Sequence, residues 1–75
     1  MFVKPNAFKI LRKERMEKRM TQRELAELMG FNSPQRLANI EYGHGKLSLE
    51  NALLAAKALN VSSSLFISEK VKQYV

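Results

Sequence analysis

Apolar residues recur along most of the chain at the three- and four-residue spacing of amphipathic helices. Polar breakers cut this pattern into five predicted helices and no strand. The first runs over about residues 6–18, with Phe8, Leu11 and Met16 set to point inward and Lys, Arg and Glu on the opposite face. Thr21 and Glu24 stand in capping-box spacing and open a second helix over about residues 22–29, where Leu25, Ala26, Leu28 and Met29 form an apolar run that Gly30 breaks. A third, over about residues 34–42, starts with Ser33 as N-cap and Pro34 at the first helical position, and has Leu37 and Ile40 as its apolar face. After the punctuation of Gly43-His44-Gly45-Lys46, Ser48 caps a fourth helix carrying Leu49, Ala52, Leu53, Ala56 and Leu59. These read as a core stripe, and the richness in alanine suits a closely packed central strut. Asn60 is placed to end this helix in the left-handed conformation. Ser62 to Ser64 cap a final helix ending near Tyr74.

This pattern predicts an all-α, compact five-helix bundle. Its 75 residues form one domain over 1–75, with no repeat and no linker long enough to divide it. A core of this size is marginal, so partner contacts can add to its stability. There is no cysteine, hence no disulfide and no thiolate metal site, which fits a reducing cytoplasm. The first ten residues lack the apolar run of a signal peptide and no segment approaches a membrane span, so a cytoplasmic location is expected.

Net charge is +6 and unevenly placed: residues 1–19 carry seven Lys and Arg against Glu14 and Glu17 alone. A basic surface suggests a polyanion, nucleic acid first, although a solvated helix face gives the same signal. The single histidine, His44, has no carboxylate or serine constellation around it, so neither catalysis nor a metal site is expected, and no cofactor is implied. The first helix has too little apolar face for a membrane surface.

The second and third predicted helices, joined by a turn containing Gly30, form a helix-turn-helix, a unit whose second helix fits the major groove of double-stranded DNA. If Leu37 and Ile40 face inward, Gln35, Arg36 and Asn39 project outward. Arginine pairs with guanine, and glutamine or asparagine with adenine, so these three are the candidate base readers. The candidate phosphate contacts are Gln22, through the free N–H groups at its helix start, and Ser33, in second place to its capping role. Tyr42, His44 and Lys46, in or beside the glycine loop, and Arg12 on the first helix complete the set. Arg12 and Arg15 have a plainer reading as helical partners of Glu14 and Glu17.

With those residues in view, the chain resembles the lambda-repressor-like family, the Cro/CI or XRE type of helix-turn-helix. The resemblance covers about residues 8–66. It rests on Leu11-Arg12, Arg15, Lys18 and Met20-Thr21-Gln22, then Glu24, Leu25, Ala26 and Gly30, then Ile40-Glu41 with Gly43, Ser48-Leu49-Glu50, and Ala55 to Val61. It implies a DNA-binding transcriptional regulator of bacterial or phage origin; because a bare DNA-binding unit blocks polymerase by occupying its site, repression is expected rather than activation. It also implies that the Gln22 amide touches a phosphate and props a side chain of the third helix. Three positions depart from the family. One extra residue lies between Gly30 and Glu41, expected at Asn32 or Ser33; without it Arg36 would be buried and Leu37 would face out. Pro34 stands where members often carry a base-reading polar side chain, and Tyr42 where asparagine is common.

Ile67, Val71, Tyr74 and Val75 make a second apolar stripe at helical spacing, beyond the Leu65 and Phe66 needed to close the core. Surplus apolar surface suggests an interface, hence a homodimer through a C-terminal extension over residues 67–75 and a pseudo-palindromic operator. Two alternatives stand beside it. The stripe can fold back over the first helix and the Phe2-Val3 end. It can also bind a protein partner, which would make the chain an antitoxin subunit or a regulator that sequesters another regulator.

Overall fold

The computed structural model describes residues 2–68. Over that span the chain forms α1 (Ala7–Glu17), α2 (Gln22–Leu28), α3 (Pro34–Glu41) and α4 (Leu49–Leu59), then a 3-10 turn (Ser63–Leu65). Two short strands, β1 (Phe2–Val3) and β2 (Ile67–Ser68), pair antiparallel with Val3 opposite Ile67. The fold is all-α in its architecture, with α2 and α3 packed together, α1 against α3 and α4, and α4 against α2 and the 3-10 turn. Leu11, Leu25, Leu37, Leu59 and Phe66 are its largest fully buried side chains.

The helix boundaries follow from their caps. The Thr21 hydroxyl accepts from the Glu24 N–H at 3.0 Å, and the Glu24 carboxylate accepts from the Thr21 N–H at 3.0 Å, so the capping box is complete. The Ser48 hydroxyl accepts from the Asn51 N–H at 3.1 Å. All four helices end in one way, with a residue at positive φ: Arg19 (56°), Gly30 (81°), Gly43 (80°) and Asn60 (56°). In each, that residue and the next donate backwards across the last turn: Arg19 to Met16 O and Met20 to Arg15 O, for example, or Gly30 to Glu27 O and Phe31 to Ala26 O. These are Schellman caps, which satisfy carbonyls that a helix end otherwise leaves open.

The fifth helix does not begin where it was expected. The Ser62 hydroxyl accepts from the Ser64 N–H, and this local bonding yields a single 3-10 turn. Phe66 O then accepts from the Lys4 N–H at 2.8 Å and the chain runs on as β2. The expectation of five helices and no strand is therefore corrected to four α-helices and one ribbon among the described residues. Ile67 is corrected with it: this residue is buried in the core beside Val3 and is not free for a dimer stripe. Val71, Tyr74 and Val75 lie outside the described residues.

Two other apolar assignments change. On α4 the buried face is Ala52, Ala55, Ala56 and Leu59, whereas Leu49 and Leu53 are 39% and 47% exposed. The small side chains set the contact, and the leucines flank it. On α1 the inward stripe is Ala7, Leu11 and Arg15, and Met16 is 56% exposed.

Arg15 points inward because Glu41 meets it there. Arg15 Nε donates to Glu41 Oε2 at 2.8 Å and Nη2 donates to Oε1 at 3.1 Å, a bidentate pair joining α1 to the end of α3. Arg15 Nη1 also donates to Met20 O at 2.7 Å, and Gln22 Nε2 donates to Glu41 Oε1 at 3.2 Å. The Glu41 side chain is 0% exposed and that of Arg15 is 12% exposed. A buried pair broken on one side strands the other charge, at a cost of about 3–5 kcal/mol. Glu41→Ala should therefore lower the thermal midpoint by roughly 12–40 °C, measured by circular dichroism, at about 4–8 °C per kcal/mol for a domain of this size.

The Glu24 carboxyl is held below its ordinary value of 4.5, first by the Thr21 backbone N–H and then by the Thr21 side chain. A carboxyl lowered on folding stabilises the native state above its unfolded pKa, and that support is lost as pH falls through the folded value. The stability advantage of the parent over Glu24→Gln in urea titrations should accordingly be full at neutral pH and shrink as pH drops below 4.5.

Candidate nucleic-acid interface

The turn between α2 and α3 is built from two finished caps. Met29, Gly30 and Phe31 complete the end of α2, and Ser33 with Pro34 opens α3. Ser33 has the extended backbone of an N-cap (φ −150°, ψ 151°), but its hydroxyl accepts no capping hydrogen bond. Its capping reading is thus corrected to one of backbone position alone. Pro34 supplies the helical φ and removes one N–H that would need a partner.

This turn gives α3 the rotation the sequence pattern required. Leu37, Ala38, Ile40 and Glu41 are buried, whereas Gln35, Arg36 and Asn39 are exposed together on the outer side. The three do not stand independently. Gln35 Nε2 donates to Asn39 Oδ1 at 3.0 Å, one helical turn apart. The Arg36 guanidinium carbon lies 4.3 Å from the ring centroid of Phe31, itself nearly buried in the turn. Stacking on an aromatic face leaves the in-plane N–H donors of a guanidinium at the edge, where a bidentate acceptor can meet them.

Gln22, at the first turn of α2, is half-buried and spends its amide N–H on Glu41, so the α3 side chain it props is the buried carboxylate. Tyr42 is exposed, and its ring lies under Arg12, 5.6 Å from the guanidinium carbon. The glycine loop is tight. The N–H groups of His44 and Gly45 both donate to Asn39 O, at 2.9 and 3.0 Å. A Cβ at Gly43 would stand 3.3 Å from the Phe8 ring, and one at Gly45 would stand 3.3 Å from Ile40 Cγ1. The exposed side chains of His44 and Lys46 are thus carried on backbone closely packed against α1 and α3.

Sequence reasoning passed over the part played by Phe31, Lys4 and the Arg15–Glu41 pair. Phe31 was hidden because its contact is with Arg36 across the turn. Lys4 lines a recess of about 330 Å³ with Gly43, Gly45 and Lys46, brought there by the pairing of β1 with β2. Arg15 has the charge of a surface residue, yet its place four residues after Leu11 marks the inward face. Lys13 and Glu17 do form an exposed helical pair, at 3.9 Å. Among the described residues no helix is long and apolar enough to cross a membrane.

The restriction-modification controller protein C.AhdI from Aeromonas hydrophila has the same fold, with a TM-score of 0.74 and 30% identity over 80% of this chain and 89% of that one. The clp gene regulator ClgR from C. glutamicum is similar at a TM-score of 0.73, with 34% identity over 77% of this chain and 74% of that one. A second wild-type restriction-modification controller protein gives a TM-score of 0.73 and 28% identity over 80% and 78% of the two chains. No curated protein sequence matches significantly. A family model described as helix-turn-helix matches residues 11–66, which span α2, the turn and α3 together with most of α1 and all of α4. The chain belongs to the helix-turn-helix family of the Cro/CI, or XRE, type.

Proposed function

We propose that the protein is a sequence-specific, double-stranded-DNA-binding transcriptional regulator that lays α3 in the major groove. The observation that carries this reading is the sidedness of α3. One side is sealed into the core by Leu37 and Ile40, and the other offers Gln35, Arg36 and Asn39 to solvent on a helix-turn-helix. These three are the base readers. Gln22, Ser33, Tyr42, His44, Lys46 and Arg12 contact phosphates and fix register, with Gln22 acting through the start of α2 while its amide holds Glu41.

The regulator acts as a repressor, by occupying its site, in the cytoplasm of a bacterium or of a phage-infected cell. The names of the similar proteins, controllers and a gene regulator, support the regulatory half of this reading. It works as a homodimer on a pseudo-palindromic operator, with Val71, Tyr74 and Val75 in the contact and two recognition helices about 34 Å apart. No cofactor or catalysis enters the mechanism.

Selection of bound sites from a random duplex pool at near-physiological salt tests the whole. A two-fold symmetric motif is expected. An unenriched pool would overturn the DNA reading in favour of the protein-partner one.

Two substitutions then separate charge from readout. Lys46→Gln should weaken every duplex alike and reduce the steepness of log affinity against log salt by about 0.9, the contribution of one phosphate. Arg36→Ala should instead lose about 1–3 kcal/mol of discrimination at one base pair. Equal weakening of all single-base variants by Arg36→Ala would make that arginine a phosphate contact.

A further inference from the structure

We infer that Gln35 and Asn39 act as one composite reader, addressing a single adenine, and do not read two bases separately. The inference rests on the DNA-binding reading above and deepens it. Its ground is the hydrogen bond from Gln35 Nε2 to Asn39 Oδ1, 3.0 Å long, between two exposed amides one turn apart on the outer side of α3. Neither amide makes another hydrogen bond among the described residues.

The chemistry follows from what that bond uses up. A primary amide carries an acceptor oxygen and a two-hydrogen donor nitrogen. Once Gln35 has donated to Asn39, the pair still presents the Gln35 oxygen as acceptor and the Asn39 nitrogen as donor. Reversing both amides leaves the same capacity, an unused acceptor oxygen on one side chain and unused N–H donors on the two nitrogens. Adenine alone among the bases offers the complement on its own major-groove edge, the N7 acceptor beside the N6 donor. Guanine offers two acceptors and no donor, so the unused amide oxygen would find no partner on it. Cytosine offers a lone donor there, and thymine a lone acceptor with its methyl group.

The geometry favours convergence too. Side chains four apart on a helix lie about 5–6 Å from each other, whereas successive base pairs rise about 3.4 Å. Untied, the two amides would address different base pairs. Tied, they are drawn to one position and are partly ordered before the duplex arrives, which reduces the entropy lost on binding. Arg36, held on the other flank by Phe31, is left to a separate base.

The test compares the parent, Gln35→Ala, Asn39→Ala and the double variant, first by selection from a random duplex pool and then by affinity for duplexes altered one position at a time. Circular dichroism confirms that each exposed-site variant is folded. The expected result is that both single variants lose the preference for adenine at the same position, by roughly 5- to 150-fold. The double variant should lose no more than either single one. Losses at two different positions, additive losses, or selection of a base other than adenine at the shared position would overturn the inference while leaving the DNA reading intact. A parent that enriches no duplex would remove the DNA reading and this inference together.

Discussion

The buried pair between Arg15 and Glu41 is the contact on which the placement of everything else depends. It joins the first helix to the end of the third, and its spare groups reach the Met20 carbonyl just before α2 and the Gln22 amide within it. Three helices are thus referred to one carboxylate. Apolar packing alone is non-directional and would leave α3 some freedom to roll. A bidentate guanidinium–carboxylate contact fixes angle as well as distance. The buried ion pair therefore anchors the end of α3, while the turn before the helix and the burial of Leu37 and Ile40 set which face meets solvent.

The sequence shows the secondary elements wherever a cap encodes a boundary. Thr21, Ser48, Gly30, Gly43 and Asn60 mark their helix ends in the structure, because side-chain oxygens and left-handed residues act locally. What remained hidden was tertiary. Arg15 and Glu41 are 26 residues apart, and nothing local tells a charged residue that its partner waits inside. Leu49 and Leu53 have core-like spacing, but α4 approaches its neighbours through alanines, and side-chain size decided which face was buried. Ser62 to Ser64 carry an N-cap signature, but the chain makes one 3-10 turn there and then pairs with β1.

The candidate interface was legible in its composition and orientation but not in its couplings. The outward placement of Gln35, Arg36 and Asn39 follows from a periodicity that the sequence displays. The stacking of Arg36 on Phe31 and the bond between Gln35 and Asn39 depend on rotamers, which periodicity does not encode. Gln22 illustrates the difference: its position at the start of α2 could be read directly, while its hydrogen bond to the interior carboxylate could not.

The junction after α2 has one consequence of its own. The cap of α2 is complete at Phe31, and α3 begins with Ser33 and Pro34, so Asn32 is the sole residue belonging to neither. A change in chain length at this spot leaves both helices internally whole and alters only how one is aimed against the other. Asn32 is thus the joint between two self-contained helices, and its backbone helps set how one is aimed against the other.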